Sequence, residues 1–181
     1  IDRAAEAIVE ADGEKIKKKE AQKILDTEHS VDMALFGRMV ADDAAFNIDA
    51  SVQVAHALGI HASAPEFDYF TAVDDLAEEG EETGAGMIGT VQMMSSTLYR
   101  YATVNLDGLS ENLDSEENAK QAAVDFVDAF IKSMPTGKIN TFANQTLPEL
   151  VYIAVRDTRP VSLVTAFEEP VEATGEKSLR V

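Results

Sequence analysis

The stretch from Ser115 to Met134 is the part of this chain whose pattern leaves least choice of structure. Ala119, Ala122, Ala123, Phe126, Val127, Phe130, Ile131 and Met134 recur at i, i+3 and i+4, which lays them along one face of a helix. Asp114 or Ser115 can cap its start, and Pro135 helps to end it. A helix with one apolar face has to cover that face with something. Leu150–Val155 reads as a buried strand and Val161–Phe167 as a strand or a short helix, so a sheet covered by helices is expected, an α/β (α+β) chain. At 181 residues and 45% hydrophobic content, the chain suits a single domain, residues 1–181, with enough apolar material for a core.

Upstream, Asp2–Asp12 and Glu14–Asp26 read as two helical pieces broken at Gly13. Lys15, Lys17, Lys18, Lys19 and Lys23 are interleaved with Glu14 and Glu20, the pattern of a solvated helix face. Val31–Val40 alternates through Val31, Met33 and Leu35 before turning at Gly37, which predicts a strand running into a loop at Arg38 and Met39, with a helix as the alternative. Val52 and Val54 alternate within Asn47–Leu58, another strand. Beyond it Gly59 and Pro65 forbid a long helix, so the chain is expected to leave the core as an excursion and return near Thr71–Val73. The acidic tail, residues 168–181, is expected to be poorly ordered.

Composition narrows the function. No apolar run approaches the roughly 18 residues of a membrane span and no charged-then-apolar leader is present, so the chain reads as soluble, without a membrane partner. The absence of cysteine excludes disulfides, thiolate catalysis and cysteine metal sites, and fits the reducing cytoplasm. Ile1 is not a start methionine, so a fragment of a longer chain is expected. The formal net charge is −18, and between Arg38 and Arg100 there is no Lys or Arg, only carboxylates from Asp42 to Glu82. That surface cannot hold a phosphate backbone by charge.

Three motifs invite catalytic or ligand readings. Gly84, Gly86 and Gly89 spell G-x-G-x-x-G, which would make the chain a nucleotide or small-molecule binding enzyme. The preceding EEGEET would repel a pyrophosphate, and the following TVQMMSSTLYRYATV is strand-like where a dinucleotide site needs a helix, so a hairpin loop is preferred. His56 and His61 are five residues apart across Gly59, which does not put two imidazoles on one helical face, and no metal is expected. Asp74 and Asp75 would point to opposite faces of a strand, a poor acid/base pair. With no G-x-S-x-G either, no catalytic residue and no cofactor is expected.

The ordered segments VDMALFGRMVADD, NIDASVQVAHALGIH, EFDYFTAVDDL, TGAGMIGT, TLYRYATVNLDGLSENL, SMPTGKINTFA and RPVSLVTAFE resemble the CasC family, the repeated backbone subunit of type I-E CRISPR interference complexes (Cascade). The resemblance runs from Val31 to about Val171. It implies an RRM-like (ferredoxin-like) palm with helical insertions and a protruding thumb, polymerising along a guide RNA (crRNA) for antiviral defence. It implies as partners the guide RNA, the target DNA strand, further copies of the subunit and other Cascade subunits, and no enzymatic activity. Family members are longer and begin with a first palm strand and a basic stretch that this sequence does not show, so an incomplete palm is expected.

Carried onto this sequence, residues 58–86 would form the thumb, Phe70 would be the wedge that displaces guide bases, with Thr71 beside it, and Met39 of the Gly37–Arg38–Met39 loop would pack opposite Phe70. A wedge working through aromatic contact needs no positive charge of its own. From the residues alone, Phe67, Tyr69 and Phe70 would serve equally as core filling of a strand face. Lys138 and Asn140, in a loop after the long helix, are expected contacts to phosphate or to a neighbouring subunit.

Overall fold

Ser115 opens the long helix by accepting a hydrogen bond from the Asn118 amide at 3.2 Å through its Oγ, and Glu116 and Glu117 in the first turn with Lys132 in the last suit the helix dipole. This helix, Glu116–Lys132, belongs to a computed structural model that describes residues 2–12, 15–25, 29–72 and 87–172. In chain order the elements are α1 (Asp2–Glu10), α2 (Lys18–Leu25), α3 (Val31–Phe36), β1 (Val52–Val54), β2 (Leu58–Gly59), β3 (Glu66–Ala72), β4 (Met87–Met93), β5 (Leu98–Tyr99), β6 (Ala102–Val104), α4 (Leu106–Leu113), α5 (the long helix) and α6 (Ile139–Phe142). The arrangement is α+β, and the strands pair antiparallel in two-stranded sheets: β1 with β6, β2 with β5 and β3 with β4. The chain divides into two units, residues 1–54 with 102–160, and residues 55–101 with 161–181.

In the first unit the core forms where α3, α4 and α5 meet the β1–β6 pair. Ala34, Leu35, Val52, Leu109, Ala119, Ala122 and Phe126 are buried together, with Val104, Val127 and Phe130 packed at the margin. Phe126 touches Phe36 edge-on at 6.2 Å and stacks with Phe130 at 5.9 Å between ring centroids. Such burial of one phenylalanine is worth about 1.5 to 3 kcal/mol. Asp114 does not cap α5. It closes α4 in the left-handed region, φ 50°, with its amide directed at the Glu111 and Ser110 carbonyls.

Asn112 binds this core together. Its Nδ2 donates toward Ala34 O at 3.0 Å, Asp49 O at 2.9 Å and Ser51 Oγ at 3.1 Å, joining α4 to α3 and to the segment that enters β1.

Two sequence expectations in this unit are corrected. Val31–Phe36 is helical, not a strand, because Ser30 caps it through Oγ to the Met33 amide at 3.3 Å and because the adjacent residues Ala34 and Leu35 are both buried. Neighbours in a strand point to opposite faces, whereas neighbours on a helix can share one. Leu150–Val155 is not a buried strand: Leu150, Val151, Tyr152, Ile153 and Val155 are all exposed, and no hydrogen bond joins residues 150–155 to another described residue. The run has the composition of a strand, and among the described residues no strand pairs with it.

In the second unit β3 and β4 pair along their whole length, from Glu66↔Met93 to Ala72↔Met87, and residues 73–86 between them lie outside the described residues, with Asp74, Asp75, Gly84 and Gly86. The base of the hairpin is tied by Ile60, buried, which donates to Thr97 O at 3.0 Å and accepts from the Val171 amide at 2.8 Å. Val161–Phe167 ends in a short 3₁₀ turn, Val164–Phe167, whose Phe167 meets Tyr99 at 5.4 Å. The Tyr99 hydroxyl accepts from the Leu163 amide at 3.0 Å. The start of the acidic tail is therefore held through Val171 rather than loose, and residues 173–181 lie outside the described residues.

Candidate nucleic-acid interface

The Gly37–Met39 loop is built by the end of α3. Gly37 has φ 76°, and a Cβ there would stand 2.7 Å from Ile48 O and 2.9 Å from Ala50 N, so both the dihedral and the space require glycine. Arg38 then pairs with Ile48 through two backbone hydrogen bonds of 2.9 Å, and its Nε donates to Phe46 O at 2.8 Å. Val40 donates to Asn47 Oδ1 at 2.6 Å. Between these two anchors Met39 projects outward, 83% exposed. The fixed part of Arg38 holds the loop, and the thioether of Met39 is what the loop offers to a partner. A polar cavity of about 480 Å³ is lined by His29, Asn47, Asp49, Ser51, Asn105 and Glu111. With Asp49 and Glu111 in its wall it is no cradle for phosphate.

Lys138 and Asn140 share one exposed turn, but not the loop expected from Pro135 and Gly137. Lys138 takes a left-handed conformation, φ 54°, at the start of α6, and Asn140 lies within that single helical turn. Both side chains are exposed.

Phe70 and Thr71 lie in β3, in the other unit. Phe70 pairs with Gly89 and Thr71 with Ile88. The Phe70 ring lies on Gly89, where any Cβ would overlap it, and is left 40% exposed. Of the three aromatic residues of β3 it is the least exposed, against 60% for Phe67 and 75% for Tyr69. Strand alternation puts Glu66, Asp68 and Phe70 on one face, and Phe67, Tyr69 and Thr71 on the other, opposite Gln92, Thr90 and Ile88. The second face carries no charge, and Tyr69 is 75% exposed on it. Sequence reasoning singled out Phe70 and passed over Tyr69. The alternation i, i+2 was the signal that separates them.

Of the G-x-G-x-x-G glycines only Gly89 lies among the described residues. Gly89 is a strand residue under the Phe70 ring, not part of a phosphate loop. His61 uses Nδ1 against Ala62 O at 2.9 Å and accepts the Thr97 amide on Nε2 at 3.0 Å, so both ring nitrogens serve the hairpin base. Among the described residues no cluster of His, Asp or Glu could hold a metal ion, and no helix is long and apolar enough to cross a membrane.

The described residues form an α+β chain in which an antiparallel hairpin bears exposed aromatic side chains and a loop exposes Met39. The family model described as CT1975-like protein matches residues 1–181, and the chain belongs to this family of CRISPR-associated proteins. Among solved structures it is similar to a chain of a CRISPR RNA-guided surveillance complex in a pre-nicking state, with 37% identity and a TM-score of 0.79 over 96% of this chain and 48% of that one. It is also similar to a chain of a CRISPR RNA-guided surveillance complex, with 40% identity and a TM-score of 0.74 over 90% of this chain and 63% of that one. It thus spans between about half and two thirds of the length of these relatives. No curated protein matches.

Proposed function

We propose that this chain is part of a longer backbone subunit of a Cascade-like CRISPR interference complex, of the type I-E kind, that polymerises along a guide RNA. The observation that carries the reading is the family match over residues 1–181, together with two RNA-guided surveillance complexes at 37 and 40% identity. Its partners are the guide RNA, the target DNA strand, copies of itself and other subunits, in the cytoplasm, and its role is structural and non-catalytic. Residues 58–86 form the thumb of an RRM-like palm. Gly37, Arg38, Met39, Phe70, Thr71, Lys138 and Asn140 contact the RNA: Phe70 and Met39 through apolar contact with bases, Lys138 and Asn140 at the backbone. Physical support comes from the exposed ring of Phe70 and thioether of Met39, since stacking a base on an aromatic is worth about 1 to 3 kcal/mol without any help from charge.

The test is assembly on a guide. The full-length subunit carrying Phe70→Ala should still form the complex, while the periodic reactivity of unstacked guide bases to chemical probes falls. Unchanged periodicity in an intact complex would rule Phe70 out as the wedge, and failure of the unaltered subunit to retain any guide RNA would overturn the function itself. The 181-residue chain alone, with its charge of −18, should bind single-stranded RNA no better than about micromolar at ~0.15 M salt in filter binding, and a nanomolar constant would contradict this.

A further inference from the structure

All sulfur in this chain is thioether, six methionines and no cysteine, so a peroxide finds no thiolate to attack and acts on methionine. Access to the sulfur then decides which methionine reacts. Met33, Met93 and Met134 are half-buried, whereas Met39 is 83% and Met94 68% exposed. What sets Met39 apart from Met94 is the backbone that carries it. Arg38 on one side is held by its two backbone hydrogen bonds to Ile48 and by Nε to Phe46 O, and Val40 on the other by Asn47 Oδ1. The thioether therefore stands in solvent as part of the folded loop, and no local opening has to precede its oxidation. Hydrogen peroxide is uncharged, so the net charge of −18 does not repel it as it would an anionic oxidant.

We propose that Met39 is a reversible oxidation site for hydrogen peroxide, and that its sulfoxide is a form of the chain with a weakened hold on RNA bases. In the forward step Sδ donates an electron pair to one peroxide oxygen, the O–O bond breaks, and the other oxygen leaves as water once it takes up the proton of the first. The thioether loses two electrons and the peroxide gains them. In the return step the sulfoxide oxygen leaves as water while two thiols of a methionine sulfoxide reductase system close to a disulfide. The new S–O dipole needs hydrogen bonds that the face of a base does not supply, so an apolar contact becomes one that costs desolvation. This consequence rests on the reading of the Gly37–Met39 loop as a contact to RNA, while the oxidation itself rests on exposure alone.

Peptide mass spectrometry of the 181-residue chain during peroxide treatment tests the site. Met39 and Met94 should take up oxygen at least about tenfold faster than Met33, Met93 and Met134. The melting temperature should stay unchanged, and methionine sulfoxide reductase with dithiothreitol should return Met39 to the thioether. Met39 reacting no faster than the half-buried methionines, or resisting the reductase, would overturn the site. The consequence is read in the full-length subunit on a guide RNA, as the ratio of guide retained after and before peroxide. That ratio should fall for the unaltered subunit and for Met94→Leu, and should stay at one for Met39→Leu whatever its starting level. A ratio of one for the unaltered subunit, or an equal fall for Met39→Leu, would overturn the consequence. A bound guide should also slow the oxidation of Met39 and leave that of Met94 as it was. A subunit that retains no guide before peroxide sinks the function and the consequence together, and the oxidation of Met39 is then decided by the short chain alone.

Discussion

Helix α5 and the run Leu150–Val155 belong to the same unit and are both dense in apolar side chains, yet one is buried and the other naked. The helix finds its cover locally: α3, α4 and the β1–β6 pair close over Ala119, Ala122 and Phe126. The run 150–155 keeps its large side chains 45 to 88% exposed, and no strand among the described residues pairs with it. An apolar pattern states that a surface has to be covered, and it does not state by what. A helix satisfies its own backbone, so it can stand with neighbours on one side only, whereas a strand leaves its amides and carbonyls open until another strand arrives.

Mutations sharpen this contrast in order of expected size. Phe126→Ala removes the ring that links Phe36 and Phe130 and should cost about 3 to 5 kcal/mol in denaturant unfolding. A loss under ~1 kcal/mol would mean that the α5 face is no better covered than 150–155. Asn112→Ala leaves the buried Ser51 hydroxyl and the Ala34 and Asp49 carbonyls without their shared donor and should cost about 1 to 3 kcal/mol. Ser115→Ala deletes the cap of α5 and should lower stability by about 1 kcal/mol, with a matching drop in helical circular dichroism as the first turn frays. At the small end, Ile153 is 63% exposed, and Ile153→Ser should lower the stability of this chain by less than about 0.5 kcal/mol. A larger loss there would erase the difference between the two regions.

How much was legible in the sequence follows the same division. The boundaries of α5, its serine cap and its buried face could be read because a helix is decided by spacing within one segment. The hairpin strands around Phe67–Phe70 were legible as strand-like, since glycine and proline punctuation excluded helix nearby. Val31–Phe36 was misread because Val31, Met33 and Leu35 satisfy period two, and only the Ser30 cap and the burial of the adjacent pair Ala34 and Leu35 break the tie. At the candidate site, Gly37 and Met39 were visible as a glycine-supported loop, but the grip of Arg38 on Phe46 and of Val40 on Asn47 depends on contacts eight and seven residues apart in a non-repeating turn. No periodicity encodes such contacts. The Phe70 ring is seated on a single glycine across the strand, and no rule based on Phe70 and its sequence neighbours would have chosen that partner.

The position of Gly89 under Phe70 also fixes how β3 and β4 can slide. A slip of one residue in pairing would turn Phe70 to the opposite face of the hairpin, and a slip of two would set its ring over Met87 or Val91, each of which has a Cβ where glycine has none. Only one register gives the ring a seat on its own face. The glycine therefore acts as an index mark on a ruler, holding the aromatic side chain at one distance from the hairpin base.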